Sequence, residues 1–237
     1  MTTQRKGKLF ATVAPMAAAA VLAGGLVVAS DGNGGGSVAA AANAPTHVHA
    51  TKTPKKANQV SLKQLKLHRD MRALWDQHMQ WTYDTVVAFA SGSEGLDATV
   101  ARLLQNQVDI GNAIKPYYGA PAARQLTALL QDHITLAVPV LTAAKAGDTA
   151  ALNTAVANWY KNANDIGNFL AKANPRWKGA AQNMMKMHIT QTVKYAGQIL
   201  TGQYAQAIKT YDQAQAHMQH MGDALADGII AAFPKKF

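Results

Sequence analysis

From residue 62 to the C-terminus, apolar residues recur at steps of three and four, and no stretch alternates apolar and polar residues with period two. This pattern predicts an all-α protein, a helical bundle of about six helices and no sheet. Leu67, Met71, Leu74, His78, Thr82, Val86 and Phe89 form the seam of the first helix, and SGSEGLD at 91–97 supplies a turn. A second helix is expected from Leu96 to Ile114, ended by KPYYGAP, and a third from about Ala122 to Lys145, with Pro139 expected to kink it. Gly147 is the natural stop and Asp148 the natural cap of a fourth helix, which carries Leu152, Trp159, Asn162, Ile166 and Phe169 and ends at ANPRW. Ala181, Met185, His188, Thr192, Tyr195 and Ile199 mark a fifth. After a break near Thr201 and Gly202, a sixth runs to Phe233 and is closed by Pro234.

Three polar residues interrupt these seams at a fixed interval. His78, His133 and His188 are 55 residues apart, and HITLAV at 133–138 returns as HITQTV at 188–193. A second element, NQVDIGN at 106–112, returns as NANDIGN at 162–168, with a weaker echo in HMGDALADG at 220–228 that sets His220 and Asp223 in the places of Asn106 and Asp109. Three antiparallel hairpin repeats account for both periods. With turns near residues 93, 147 and 202, each hairpin brings its His to the level of amide, carboxylate or imidazole groups: Asn106 and Asp109, Asn162 and Asp165, His217 and His220.

Such residues in an apolar core must bond to one another, to water or to a ligand, because an unpartnered buried polar group costs a few kcal/mol. Two readings stand. Converging imidazoles with a carboxylate suit a divalent first-row transition metal, with His78, His133, His188, Asp109 and Asp165 as ligands and Asn106, Asn162, His217, His220 and Asp223 as hydrogen-bonding neighbours. Alternatively, the layer only sets helix register, as in a structural or envelope-associated protein. A cell-surface enzyme is a third reading.

Composition and charge narrow the field. The chain has 237 residues, 49% of them hydrophobic, which is ample for a core. The net charge of +10 is unevenly spread: residues 1–66 carry eight Lys or Arg against Asp31 alone, whereas the rest carries fifteen against twelve. A body so near neutrality argues against a dedicated nucleic-acid face. Arg5, Lys6 and Lys8 precede an uncharged apolar run from Leu9 to Ala29, the pattern of an export signal, so residues 1–29 are expected to be a signal peptide or an N-terminal anchor and the body extracytoplasmic. Residues 30–61, rich in Gly, Ala, Thr, Lys and Pro, are expected to be a disordered basic linker able to meet an anionic envelope polymer or membrane surface, and 62–237 the bundle domain. His47 and His49 in that linker are adventitious metal contacts at most.

Several sharper chemistries fail on the residues. The chain has no Cys, which excludes disulfides, a lipoprotein anchor and thiolate ligands. A carboxylate-bridged di-iron bundle needs several Glu, and Glu94 is the only one. DGNGGG lacks the Lys and the following helix of a phosphate loop. Met184, Met185 and Met187 near His188 fit core filling better than haem ligation. Trp75, Trp81, Trp159, Tyr117 and Tyr118 fit either a sugar cleft or the sealing of bundle ends.

The stretches LWDQHMQWT, ARLLQNQVDIGNAIKPYYG, LTALLQDHITLAV, NANDIGNFLAKANPRW and FPKKF resemble a family of small exported all-helical bacterial proteins, over about residues 67–237. Members are sometimes labelled glycosyltransferase, yet this chain has no D-x-D motif and no sign of a nucleotide-sugar α/β fold. The resemblance implies an exported helical body and supplies no catalytic residue.

Overall fold

The computed structural model describes residues 60–237; the expectations for the N-terminal segment and for most of the linker lie outside the described residues. Five α-helices follow one another: α1 (Leu62–Ser91), α2 (Leu96–Ala146), α3 (Thr149–Ala173), α4 (Ala180–Leu200) and α5 (Tyr204–Ala232), with short 3-10 turns at Pro175–Trp177 and Pro234–Lys236. No strand occurs among the described residues. Ser61 caps α1 in a reciprocal box with Gln64, the hydroxyl accepting from the Gln64 N–H at 3.2 Å and the Gln64 amide oxygen accepting from the Ser61 N–H at 2.8 Å. Gly147 ends α2 in the left-handed region, and Asp148 caps α3 by accepting from the Ala151 N–H at 2.9 Å, as the AGDT stretch predicts.

The expected second and third helices are the two arms of α2, which meet at a kink, and the loop expected between them shrinks to Gly119, the one residue with non-helical backbone inside α2 (φ 84°, ψ 169°). Only a glycine takes that conformation at little cost, and prolines at 116 and 121 disfavour straight helix on both sides. The chain doubles back there: Gly111 and Thr127, on opposite sides of Gly119, are in contact. Pro139, expected to kink the helix, keeps helical dihedrals. By length and composition alone α2 could cross a membrane, but it folds back on itself and lays its apolar face into the core.

Each helix packs on its neighbours in sequence, and α5 packs on α1, so the five helices close a ring around one core. Methionines fill much of that core: Met71, Met79, Met185, Met218 and Met221 are fully buried. Three glycines at matching places along the chain, Gly111, Gly167 and Gly222, allow close helix crossings. A Cβ on Gly111 would lie 2.0 Å from Thr127 Oγ1, one on Gly167 would lie 2.7 Å from Gln182 Cα, and one on Gly222 would lie 3.2 Å from Trp75 Cδ1 and 3.4 Å from Arg72 N. The facing residues Arg72, Thr127 and Gln182 are themselves 55 residues apart.

These contacts rank two substitutions. Gly167→Ala drives a methyl into the Gln182 backbone, which cannot swing aside, so overpacking of about 1–3 kcal/mol exceeds the roughly 1 kcal/mol that Ala adds to helix propensity. Gly222→Ala meets looser contacts and changes stability much less. Urea-unfolding midpoints of the two variants check this order.

Candidate functional site

The histidine layer lies where α1, the second half of α2, and α4 face one another. His78, His133 and His188 are exposed by only 1%, 1% and 2%. The His188 ring stands between the other two, with centroids 5.3 Å from His78 and 5.6 Å from His133. His78 Nε2 and His188 Nε2 are 3.4 Å apart. Trp75 meets His78 edge-on, and Trp159 packs on His133 while its indole N–H donates to the His133 carbonyl at 2.9 Å.

The amide neighbours fix the protons. Asn162 donates its NH2 to the Leu129 carbonyl at 3.1 Å, which turns its oxygen toward His133 Nδ1 at 2.8 Å. An oxygen there can only accept, so His133 carries its proton on Nδ1 and a lone pair on Nε2. That Nε2 is buried and has no hydrogen-bond partner. On the other side, Gln107 donates to the Leu103 carbonyl at 2.8 Å and sets the same nitrogen 3.3 Å from His78 Nδ1. With His78 Nδ1 accepting, its Nε2–H points at His188 Nε2, and His188 Nδ1 keeps a proton with no partner. Burial drives all three rings toward the neutral form: His78 is pushed down to about 3, with the His133 charge adding to the effect, and His133 to about 4, where the Asn162 bond partly opposes burial. His188 is held well below the ordinary histidine range by burial and then by its charged-form repulsion with His78, His133 and His217.

One arrangement recurs around each ring. Asn106 Nδ2 donates to the Leu74 carbonyl at 3.0 Å, Asn162 Nδ2 to Leu129, and His217 Nε2 to Met184 at 2.9 Å; each acceptor lies four residues before a layer histidine. His217, not His220, thus takes the place of Asn106 and Asn162. The alignment on His220 and Asp223 is three residues out of register, and the signal that corrects it is the small residue after the motif, Gly111, Gly167 and Gly222.

The remaining candidates are not at the layer. Asp109 accepts from Gln105 at 3.0 Å on the surface, near Arg102. Asp165 pairs with Lys161 at 3.1 Å and is likewise solvent-exposed. The inward stripe of the motif is Leu103, Asn106, Gln107 and Ile110, and an Asp three residues after the Asn falls outside it, where its charge stays hydrated. His220 is exposed, and Asp223 binds the Arg72 guanidinium and His68, fastening α5 to α1. Arg72 and His68 hold the Asp223 carboxyl below its usual range. Sequence reasoning missed Gln107, whose role is visible only once the Leu103 carbonyl fixes its amide.

Beside the rings lies a cavity of about 40 Å³, room for a few waters, lined mostly by apolar side chains such as Phe89 and Leu103. Thr85 faces it with a hydroxyl that has no partner, and Thr192 lines it beside Tyr195. As the side chains stand, no group of three or more His, Asp or Glu among the described residues is placed to hold a metal ion. Fold and site therefore define an all-α ring of helices around a neutral, incompletely satisfied histidine layer. No protein-family model matches the chain, and neither a curated protein nor a solved structure matches it.

Proposed function

We propose that this is an exported metal-binding protein in which His78, His133 and His188 hold a divalent first-row transition metal through Nε2. The observation that carries the reading is the pair of Nε2 atoms 3.4 Å apart beside a third, unpartnered Nε2 whose tautomer is already set by Asn162. Tetrahedral bonds of about 2.0–2.1 Å place two ligand nitrogens roughly 3.3–3.4 Å apart, so the His78 and His188 pair spans one edge of such a site. Closing it requires the His133 ring to move toward that edge, and its Nε2 has no bond to break. Freeing His78 Nε2 to ligate requires the Gln107 amide to turn so that its oxygen accepts from His78 Nδ1, and that turn breaks the bond from Gln107 to the Leu103 carbonyl, a cost that metal binding must offset. The adjoining cavity leaves room for a water as fourth ligand.

Three hairpin repeats around the layer underlie the proposal: the 55-residue interval is repeated in the histidines, in the capped carbonyls of Leu74, Leu129 and Met184, and in the glycine-facing residues. Export rests on the N-terminal pattern of charge and apolar residues, and contact with anionic envelope material on the lysines of residues 30–61. A structural register layer is the second reading, favoured by the amide bonds to His78 and His133 and by the spread of the rings. The test is metal content after reconstitution of the full chain with Zn(II) or Co(II). About one bound equivalent with tetrahedral Co(II) absorption supports the site, and no retained metal leaves the register layer.

A further inference from the structure

The end of the bundle where the chain enters α1 is built from residues 60–70, 112–125, 172–180 and 223–237. Lys63 Nζ donates to the Lys236 carbonyl at 3.2 Å, Lys236 Nζ to that of Pro116, and Asn174 to Tyr118 Oη and the Gly228 carbonyl at 3.0 and 2.9 Å. Tyr117 stacks on Phe237. This end carries ten Lys and Arg against three Asp, while the remaining described residues carry seven against nine. All ten basic side chains are exposed. Asp70 is taken by Lys66 and Arg69, and Asp223 by Arg72 and His68, whereas Lys115, Arg124, Arg176 and Lys178 form no ion pair among the described residues. On the same end Val60, Leu62 and Leu65 are 59%, 84% and 53% exposed, although the facing side of the helix is core.

We propose that this basic, apolar-tipped end of the folded body docks on an anionic lipid bilayer. A soluble anionic polymer would satisfy the charges but not the exposed aliphatic groups, whereas a lipid interface takes both, phosphate headgroups against the Lys and Arg and the acyl boundary against Val60, Leu62 and Leu65. The direction of the chain agrees: Lys52, Lys55 and Lys56 lie four to eight residues before Val60, and the apolar run from Leu9 to Ala29 lies further back, so a segment able to meet a membrane joins the body at its basic end. The opposite end, with Glu94, Asp97 and Asp148 at its turns, would face away. This inference does not depend on the histidine site.

The absence of Cys allows single labels in the full chain. A fluorophore on Ala180→Cys at the basic end is compared with one on Glu94→Cys at the far end, in phosphatidylcholine bilayers with and without phosphatidylglycerol, using a headgroup-bound quencher. The expected result is severalfold stronger quenching at 180 than at 94 in the anionic bilayer only. High salt, or the combined substitution Lys115→Gln, Arg124→Gln, Arg176→Gln and Lys178→Gln, should reduce the signal at 180 to that at 94. Equal quenching at the two sites, or the same quenching without phosphatidylglycerol, overturns docking. A label at 180 that responds to soluble polyglycerol phosphate and not to vesicles assigns the surface to a wall polymer instead. The salt arm uses unsubstituted basic residues and stands even where the fourfold variant fails to fold.

Discussion

Replacing His133 and His188 together by Ala abolishes metal retention, whereas Asp109→Ala and Asp165→Ala leave it unchanged, because both carboxylates point away from the layer toward Arg102 and Lys161. Asn162→Ala separates the metal reading from the register reading. It removes the acceptor that holds the His133 proton on Nδ1, and the loss of such an orienting partner lowers metal affinity by about 10–100-fold. In a register layer the same change would cost stability alone, on the order of 1–3 kcal/mol for the unpaired buried group. Competition against a chelator, run beside thermal unfolding of each variant, reads the two effects separately. A folded Asn162→Ala protein with undiminished metal affinity would sink the proposed ligand geometry.

The second large effect is acid instability. An unfolded histidine protonates near 6.5, but His78 in the fold resists protonation down to about 3 and His133 down to about 4. Between these values the unfolded chain binds more protons than the folded one, so stability rises with pH, is full above about 6.5, and falls as the solution is acidified toward 4. At about 1.4 kcal/mol for each pH unit and each histidine, the loss is on the order of several kcal/mol, comparable to the whole stability of a typical domain. Urea midpoints recorded from pH 7.5 to 4 should slope steeply for the unmodified chain and less steeply for His78→Gln. A flat profile would contradict a buried neutral triad. Metal protects against acid in the same window, since it binds the unprotonated rings.

Much of this was legible in the sequence because it depends on local periodicity. The seam of α1, the Gly147 and Asp148 boundary, and the common level of the three histidines follow from steps of three and four and from hairpin lengths. What failed needed the third dimension. Asp109 and Asp165 read as inward because they lie one turn from buried Asn residues, yet an offset of three residues leaves about 60° of arc, enough to move a carboxylate from core to solvent. Pro139 read as a kink because its lost N–H is a local cost, yet the backbone there keeps helical dihedrals, and the break falls at Gly119 instead. Gly119 read as one member of a loop, and only the contact between Gly111 and Thr127 reveals that it turns the chain by itself. The third motif reads three residues out of register because Asp223 looks like the counterpart of Asp109 and Asp165, whereas Gly222, matching Gly111 and Gly167, marks the register in which His217 reaches the Met184 carbonyl.

The packing of α5 on α1 and the bond from Lys63 to Lys236 bring the two ends of the described chain together at one edge of the ring. Helix adjacency in this molecule is thus independent of where the polypeptide is cut. A circular permutant opened between Gly147 and Asp148, with Phe237 joined to Val60 by a short linker, would contain the same neighbours, the same histidine layer and the same glycine crossings. The linear order of the chain specifies how the ring is entered, and the ring itself has no first helix.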